Sequence, residues 1–248
     1  MSGTTPSHPT ELTPRPWSAA GAAVVLIAIG ALGGFAPAFS IRADIVVSAA
    51  LSLTVVAWLV WTLYPLRALG HRVLLVTLVG LLTGALLTWA ELLPLANVAK
   101  VVAAAALGLW VAENLEHASW VVLVAVVSAV VDIVSVYGGP TKALLDEGPR
   151  VVGYFTVALT WSGHDAAEGY TALGVSDVVF FSLYLAAARR FALRPLASAV
   201  AMVASFVVTI IAALWWEALP ALPLLSVAFL AVNADKVWAL RAEGRPEA

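Results

Sequence analysis

The 248-residue chain contains no cysteine. That excludes a disulfide framework, a thiolate metal site, an iron–sulfur cluster and a cysteine nucleophile, so any catalysis must use other side chains. Charge is scarce as well: Asp, Glu, Lys and Arg together make up 11% of the residues, against about 25% in soluble domains. The formal net charge is −2, with no basic run, which leaves nothing to draw the chain to nucleic acid. What fills the space is apolar, at 62% of residues. A soluble fold of this size could not cover so much apolar surface in water, so the solvent for most of the chain is a lipid bilayer. The fold class expected is an all-α, polytopic transmembrane helix bundle.

A spanning helix needs about 20 mostly apolar residues. Runs that fit occur at 17–37, 45–64, 72–93, 98–113, 118–137, 171–190, 196–216 and 220–240, eight in all, the fourth of them short. Residues 1–16, rich in Ser, Thr and Pro, read as a disordered tail. Residues 17–113 then form an N-terminal set of helices, and 118–240 form the region that carries the chemistry argued below. If the N-terminus is cytoplasmic, nine of the 13 Lys and Arg residues fall on the inner side, and Arg42, Lys100, Lys142 and Arg150 fall outside. The excess of basic residues inside then places both termini in the cytoplasm. The longest connection, from Gly138 to Tyr170, lies outside on this count. Within it, 151–161 is rich in β-branched and aromatic residues and too short to span, and reads as a strand or a shallow segment lying against the bundle.

Ionisable residues inside spans demand a reason, because a charge at mid-bilayer costs about 2.5 to 3.5 kcal/mol on insertion scales. Asp132 lies about one and a half turns before its helix ends, and Asp177 a similar distance after its helix begins on the same side. At about 1.5 Å per residue both sit about 8 to 9 Å below one surface. Two carboxylates sharing a water in a low-dielectric site cannot both ionise easily, so one serves as general acid while the other activates the water. A non-catalytic membrane protein could use the same residues to relay protons or to satisfy neighbouring backbone groups.

Three landmarks follow one another: Val131-Asp132, Gly174-Val175-Ser176-Asp177 and Pro220-Ala221-Leu222. This order resembles the presenilin and signal peptide peptidase family of intramembrane aspartyl proteases, which has Tyr-Asp on one helix, Gly-x-Gly-Asp on the next and Pro-Ala-Leu at the start of the last. The resemblance covers about half of the chain. It implies a catalytic dyad of Asp132 and Asp177 without a cofactor or metal, and substrate contacts by Gly174, Ser176, Pro220, Ala221 and Leu222. Transmembrane peptides are the implied substrates. Val131 stands where the family has Tyr, and Ser176 where it usually has the second Gly. The family's nine spans are one more than the eight counted here.

The remaining polar residues read more plainly. Lys236, beside Asp235 near the end of the last span, is placed to reach the membrane surface. Glu91 lies near the outer end of the third span and should reach headgroups. His164, Asp165 and Glu168 have a spacing that could catch a metal but lack a fourth ligand. Most Trp residues fall near span ends, as an aromatic belt would.

Overall fold

A computed structural model describes residues 16–32, 40–139, 143, 147–159, 171–215 and 219–243. The tail expected at 1–16 falls outside these residues except for Pro16, and so do His164, Asp165 and Glu168. Among the described residues eight long helices form the architecture: α1 (Pro16–Leu32), α2 (Ile41–Thr62), α3 (Val73–Trp89), α4 (Leu93–Glu113), α5 (Ala118–Gly138), α7 (Val175–Arg190), α8 (Pro195–Ala213) and α9 (Leu222–Glu243). A 3₁₀ segment, Tyr64–Arg72, joins α2 to α3, and a short helix, α6 (Pro149–Phe155), precedes the strands β1 (Thr156–Leu159) and β2 (Thr171–Gly174). Among the described residues, six helices are long and apolar enough to cross a membrane; α1 and the 16-residue α7 are shorter. In hydrocarbon every backbone N–H and C=O must be satisfied within its own segment, so apolar runs of this length become helices whatever their other preferences.

The bundle is built around α4 and α7. Of the apolar window of α4, 61% is buried, against 17% for α3 and α5, whose Leu and Val side chains point outward. Lipid tails are as apolar as Leu, so helices in a membrane associate through close packing of small residues. Here α4 presents Ala96, Ala103, Ala104, Ala105, Ala106 and Ala112, all buried. Gly80 and Gly84 bring α3 against this helix: a Cβ at Gly80 would stand 2.9 Å from the Ala103 Cβ, and one at Gly84 would stand 3.0 Å from the Lys100 Cγ. Gly108 does the same toward α7, where a Cβ would overlap the Val179 carbonyl oxygen and stand 2.8 Å from the Ser182 Cβ. The Ser182 hydroxyl, donating to the Ala105 carbonyl at 2.9 Å, completes that seam. Around the central pair, α3 lies on α4, α1 on α2 and α4, α2 on α8, and α9 on α5 and α8.

Charged residues gather at the end of the bundle where α4 and α7 finish. Arg190 donates to the carbonyls of Ala112, at 3.1 Å, and Glu113, closing the C-terminal turn of α4. The Arg189 guanidinium lies 3.8 Å from the Trp61 ring centroid. Arg194 pairs with Asp235 through two hydrogen bonds of 2.6 Å. Lys236, half-buried, donates to the Ala192 carbonyl at 3.0 Å, which agrees with its expected place near the end of the last helix. Trp17, Trp89, Trp120, Trp215 and Trp238 are exposed near helix ends, as a belt requires.

Three expectations need correction. The helix expected from 171 begins only at Val175, because Thr171–Gly174 is extended and pairs antiparallel with Thr156–Leu159, with Thr156 opposite Gly174 and Leu159 opposite Thr171. Of the segment 151–161, residues 151–155 are helical, Thr156–Leu159 form the expected strand, and 160 and 161 lie outside the described residues; Pro149, in the first turn of that helix, has the backbone angle that starts a helix. The short fourth span is a full helix from Leu93, which moves Lys100 from a connection into the interior. There its ammonium group donates to the carbonyls of Gly153, at 2.5 Å, and Thr156, at 3.0 Å. A cation at the C-terminal end of α6 meets the negative end of that helix and anchors β1 against α4.

Candidate active site

The site is assembled from the end of α5, the start of α7 and the start of α9. On α5, Val124, Val127, Val131 and their neighbours continue the apolar run of the helix, and Asp132 is half-buried six residues before its last residue, Gly138. One carboxylate oxygen of Asp132 accepts the Leu222 N–H at 3.0 Å. Leu222 is the first residue of α9, whose opening N–H groups have no partner within the helix. Pro223 cannot donate, and the Leu225 N–H reaches the Ala221 carbonyl at 3.1 Å. Asp132 therefore closes the N-terminus of α9 from a different helix, and the Pro-Ala-Leu turn is held against it.

Asp177 plays the matching part on α7. The extended β2 ends at Gly174, which turns the chain into α7, and Asp177, third in that helix, reaches back to accept the Gly174 N–H at 3.1 Å. Glycine at 174 lets these side chains come close: a Cβ there would stand 3.0 Å from the Asp177 Oδ2 and 3.2 Å from the Ser176 Oγ. Asp177 thus lies in the first turn of its helix and not a turn and a half inside, because β2 takes the residues expected to form that extra turn. The two carboxylates flank the Pro-Ala-Leu turn, Asp132 bonded to its Leu222 N–H and Asp177 lining a cavity with its Ala221.

A cavity opens on each carboxylate. Asp132 and Ser176 line a groove of about 580 Å³, bounded along α5 by Trp120, Leu123, Val127 and Val131 and closed by Phe180 and Leu222. Its walls are almost wholly apolar, and Ser176 is exposed. Asp177 lines a second cavity of about 310 Å³ with Ile45 of α2, Thr209 and Ile210 of α8, and Ala221. The Pro-Ala-Leu turn borders both, with Ala221 on one and Leu222 on the other. Of the seven residues expected at the site, Asp132, Asp177, Gly174, Ser176, Ala221 and Leu222 are joined by these bonds and cavities. Pro220 is half-buried immediately before them.

Sequence reasoning missed a set of hydroxyls one turn deeper. The Tyr184 hydroxyl of α7 lies 2.9 Å from the Ser128 Oγ of α5 and 3.1 Å from the Ser226 Oγ of α9, and all three side chains are buried. Their sequence signal is a helical offset, since each follows or precedes a site residue by four or seven positions. In a long apolar run a Tyr or Ser reads as ordinary core until the neighbouring helices are known.

Compared with known proteins, the chain matches no family model, no curated protein and no solved structure.

Proposed function

We propose that this membrane protein is an intramembrane aspartyl protease of the presenilin and signal peptide peptidase kind, with Asp132 and Asp177 as its dyad. The observation that carries the reading is the groove in which Asp132, bonded to the Leu222 N–H, faces an apolar channel beside the start of α7. The ionised carboxylate takes a proton from water as the oxygen attacks the peptide carbonyl carbon. The protonated carboxylate gives its proton to the carbonyl oxygen. Collapse of the tetrahedral diol then delivers a proton to the leaving nitrogen and breaks the C–N bond. Neither carboxylate acts alone, so the rate is expected to follow a bell-shaped pH profile whose two limbs belong to the pair. A rate that is flat from mildly acidic to alkaline pH would exclude the dyad.

The groove also supports a substrate class. It runs along α5 from Trp120 to Ser135, 15 positions or about 22 Å of helix. A transmembrane helix lying in it would keep about three turns against apolar walls while its end passes Asp132 and Ser176. Cleavage is possible only where the helix opens. An unwound stretch could satisfy its freed groups by adding a strand to the β1–β2 pair, whose second strand runs directly into Gly174. With purified protein and a synthetic transmembrane peptide, the cut is expected in the outer third of the apolar segment. Mass spectrometry of the products measures it, and a cut at mid-span would break the link between groove and substrate.

The distribution of basic residues supports termini in the cytoplasm and β1–β2 on the outer side, the orientation of the signal peptide peptidase branch, and with it N-terminus-inside substrates. In this cysteine-free chain, Glu147→Cys in the exposed turn before α6 is expected to react with an impermeant thiol reagent on intact cells. Leu69→Cys, exposed at the opposite end, is expected to be spared. The reverse pattern would invert the orientation.

A second reading has its own observation in favour. Two cavities, each lined by one carboxylate, suit a proton path in a transporter. Gradient-driven uptake without peptide cleavage would select it.

A further inference from the structure

We propose that Tyr184 is a positioning residue that holds Asp132, Asp177 and the Pro-Ala-Leu turn in a single register through a directed chain of hydroxyls; the proposal rests on the protease reading. Ser128 is four residues before Asp132 on α5, Tyr184 is seven after Asp177 on α7, and Ser226 is four after Leu222 on α9. Each therefore lies one or two turns beneath its site residue, on roughly the same face.

The direction of the hydrogen bonds can be worked out. Each hydroxyl has a single proton. Ser128 donates to the Ala125 carbonyl at 3.2 Å, so the 2.9 Å contact with Tyr184 must be donated by the tyrosine. Tyr184 has then spent its proton, and the 3.1 Å contact with Ser226 must be donated by the serine. The chain runs from Ser226 to Tyr184 to Ser128 to a backbone carbonyl, and no proton is left over. A fully satisfied buried network of this kind fixes one arrangement of the helices that carry it.

The packing explains why a polar tie is needed here. The groove separates α5 from α7 over much of their length, and α5 leans mainly on α9. Ser128 forms part of the groove wall, so its bond to Tyr184 bridges α5 to α7 across the floor beneath the dyad. The Tyr184 ring, stacked on Phe229 at 4.9 Å between centroids, fixes the hydroxyl against α9. Asp132 is the ionisable residue of α5 at this depth and Asp177 that of α7; the first three turns of α9 hold none.

The test is Tyr184→Phe, which removes one oxygen, keeps the stacked ring and leaves Ser128 bonded to Ala125. Using full-length protein and a transmembrane peptide, the variant is expected to lose about ten-fold in kcat with KM unchanged, since displacements of about 1 Å at reacting groups can cost up to about 10²-fold. Its pH–rate bell is expected to narrow, because two carboxylates held less closely couple less strongly. The melting temperature, read on the same preparation, separates misplacement from unfolding. A Tyr184→Phe protein with the parent's kcat and the parent's pH profile would overturn the positioning role and leave the dyad standing. So would a kcat loss that disappears once rates are scaled to the folded fraction. A parent chain that does not cleave while remaining folded would overturn both.

Discussion

Asp132→Asn and Asp177→Asn are each expected to abolish peptide cleavage while leaving the melting temperature close to the parent's. The carboxamide oxygen of Asn still accepts the Leu222 N–H at α9, or the Gly174 N–H at α7, so both helix starts remain closed. What it cannot do is exchange a proton at the pH of the reaction. General acid–base catalysis contributes about 10² to 10⁴-fold, and because the two carboxylates act as one unit, losing either removes nearly all of it. The Ala variants behave differently. They delete the acceptor as well, at a cost of about 1 kcal/mol for a lost helix cap, so they should be both inactive and measurably less stable. Comparing Asn with Ala in a cleavage assay and a thermal melt separates the chemical role from the capping role. An Asn variant with parental turnover would rule out the dyad. Asn and Ala variants that cleave normally but differ in stability would identify both residues as caps and nothing more.

Gly108→Leu is expected to be among the most damaging single changes in the chain although it touches neither carboxylate. A side chain at 108 points into the backbone of α7 at Val179 and Leu183, and backbone cannot rotate out of the way as a side chain can. Overpacking a core costs about 1 to 3 kcal/mol where neighbours can adjust, and this site should reach or exceed the upper figure. Because α7 carries Asp177, forcing α4 and α7 apart also disturbs the site, and activity is expected to fall with stability. Gly153→Ala is the control, since a Cβ there meets nothing within 4 Å among the described residues. Melting in detergent distinguishes them; a Gly108→Leu protein that melts with the parent would show that the central seam is not packed as described.

The amino-acid sequence by itself determined that this is a bundle of membrane-crossing helices and roughly where each one lies. Span formation is decided segment by segment, by whether about 20 residues can leave water with their backbone groups satisfied, and that information is local. It also singled out the two aspartates, because a carboxylate in an apolar run stands out against its surroundings, whereas the Pro-Ala-Leu turn was marked only by the resemblance to intramembrane aspartyl proteases. Tertiary structure decided the rest. That Thr171–Gly174 is a strand depended on a partner at Thr156–Leu159, and this pairing moved Asp177 into the first turn of α7. Lys100 was counted among connecting residues until the Gly153 and Thr156 carbonyls, more than 50 positions away, gave its ammonium group acceptors inside the bundle. That the Asp132 carboxylate bonds the Leu222 backbone, and that Tyr184 links Ser128 to Ser226, followed from which helices lie side by side. In lipid that choice is made by small residues such as Gly80, Gly84 and Gly108 meeting complementary surfaces, and a small residue in an apolar run gives no sign of which helix it will meet.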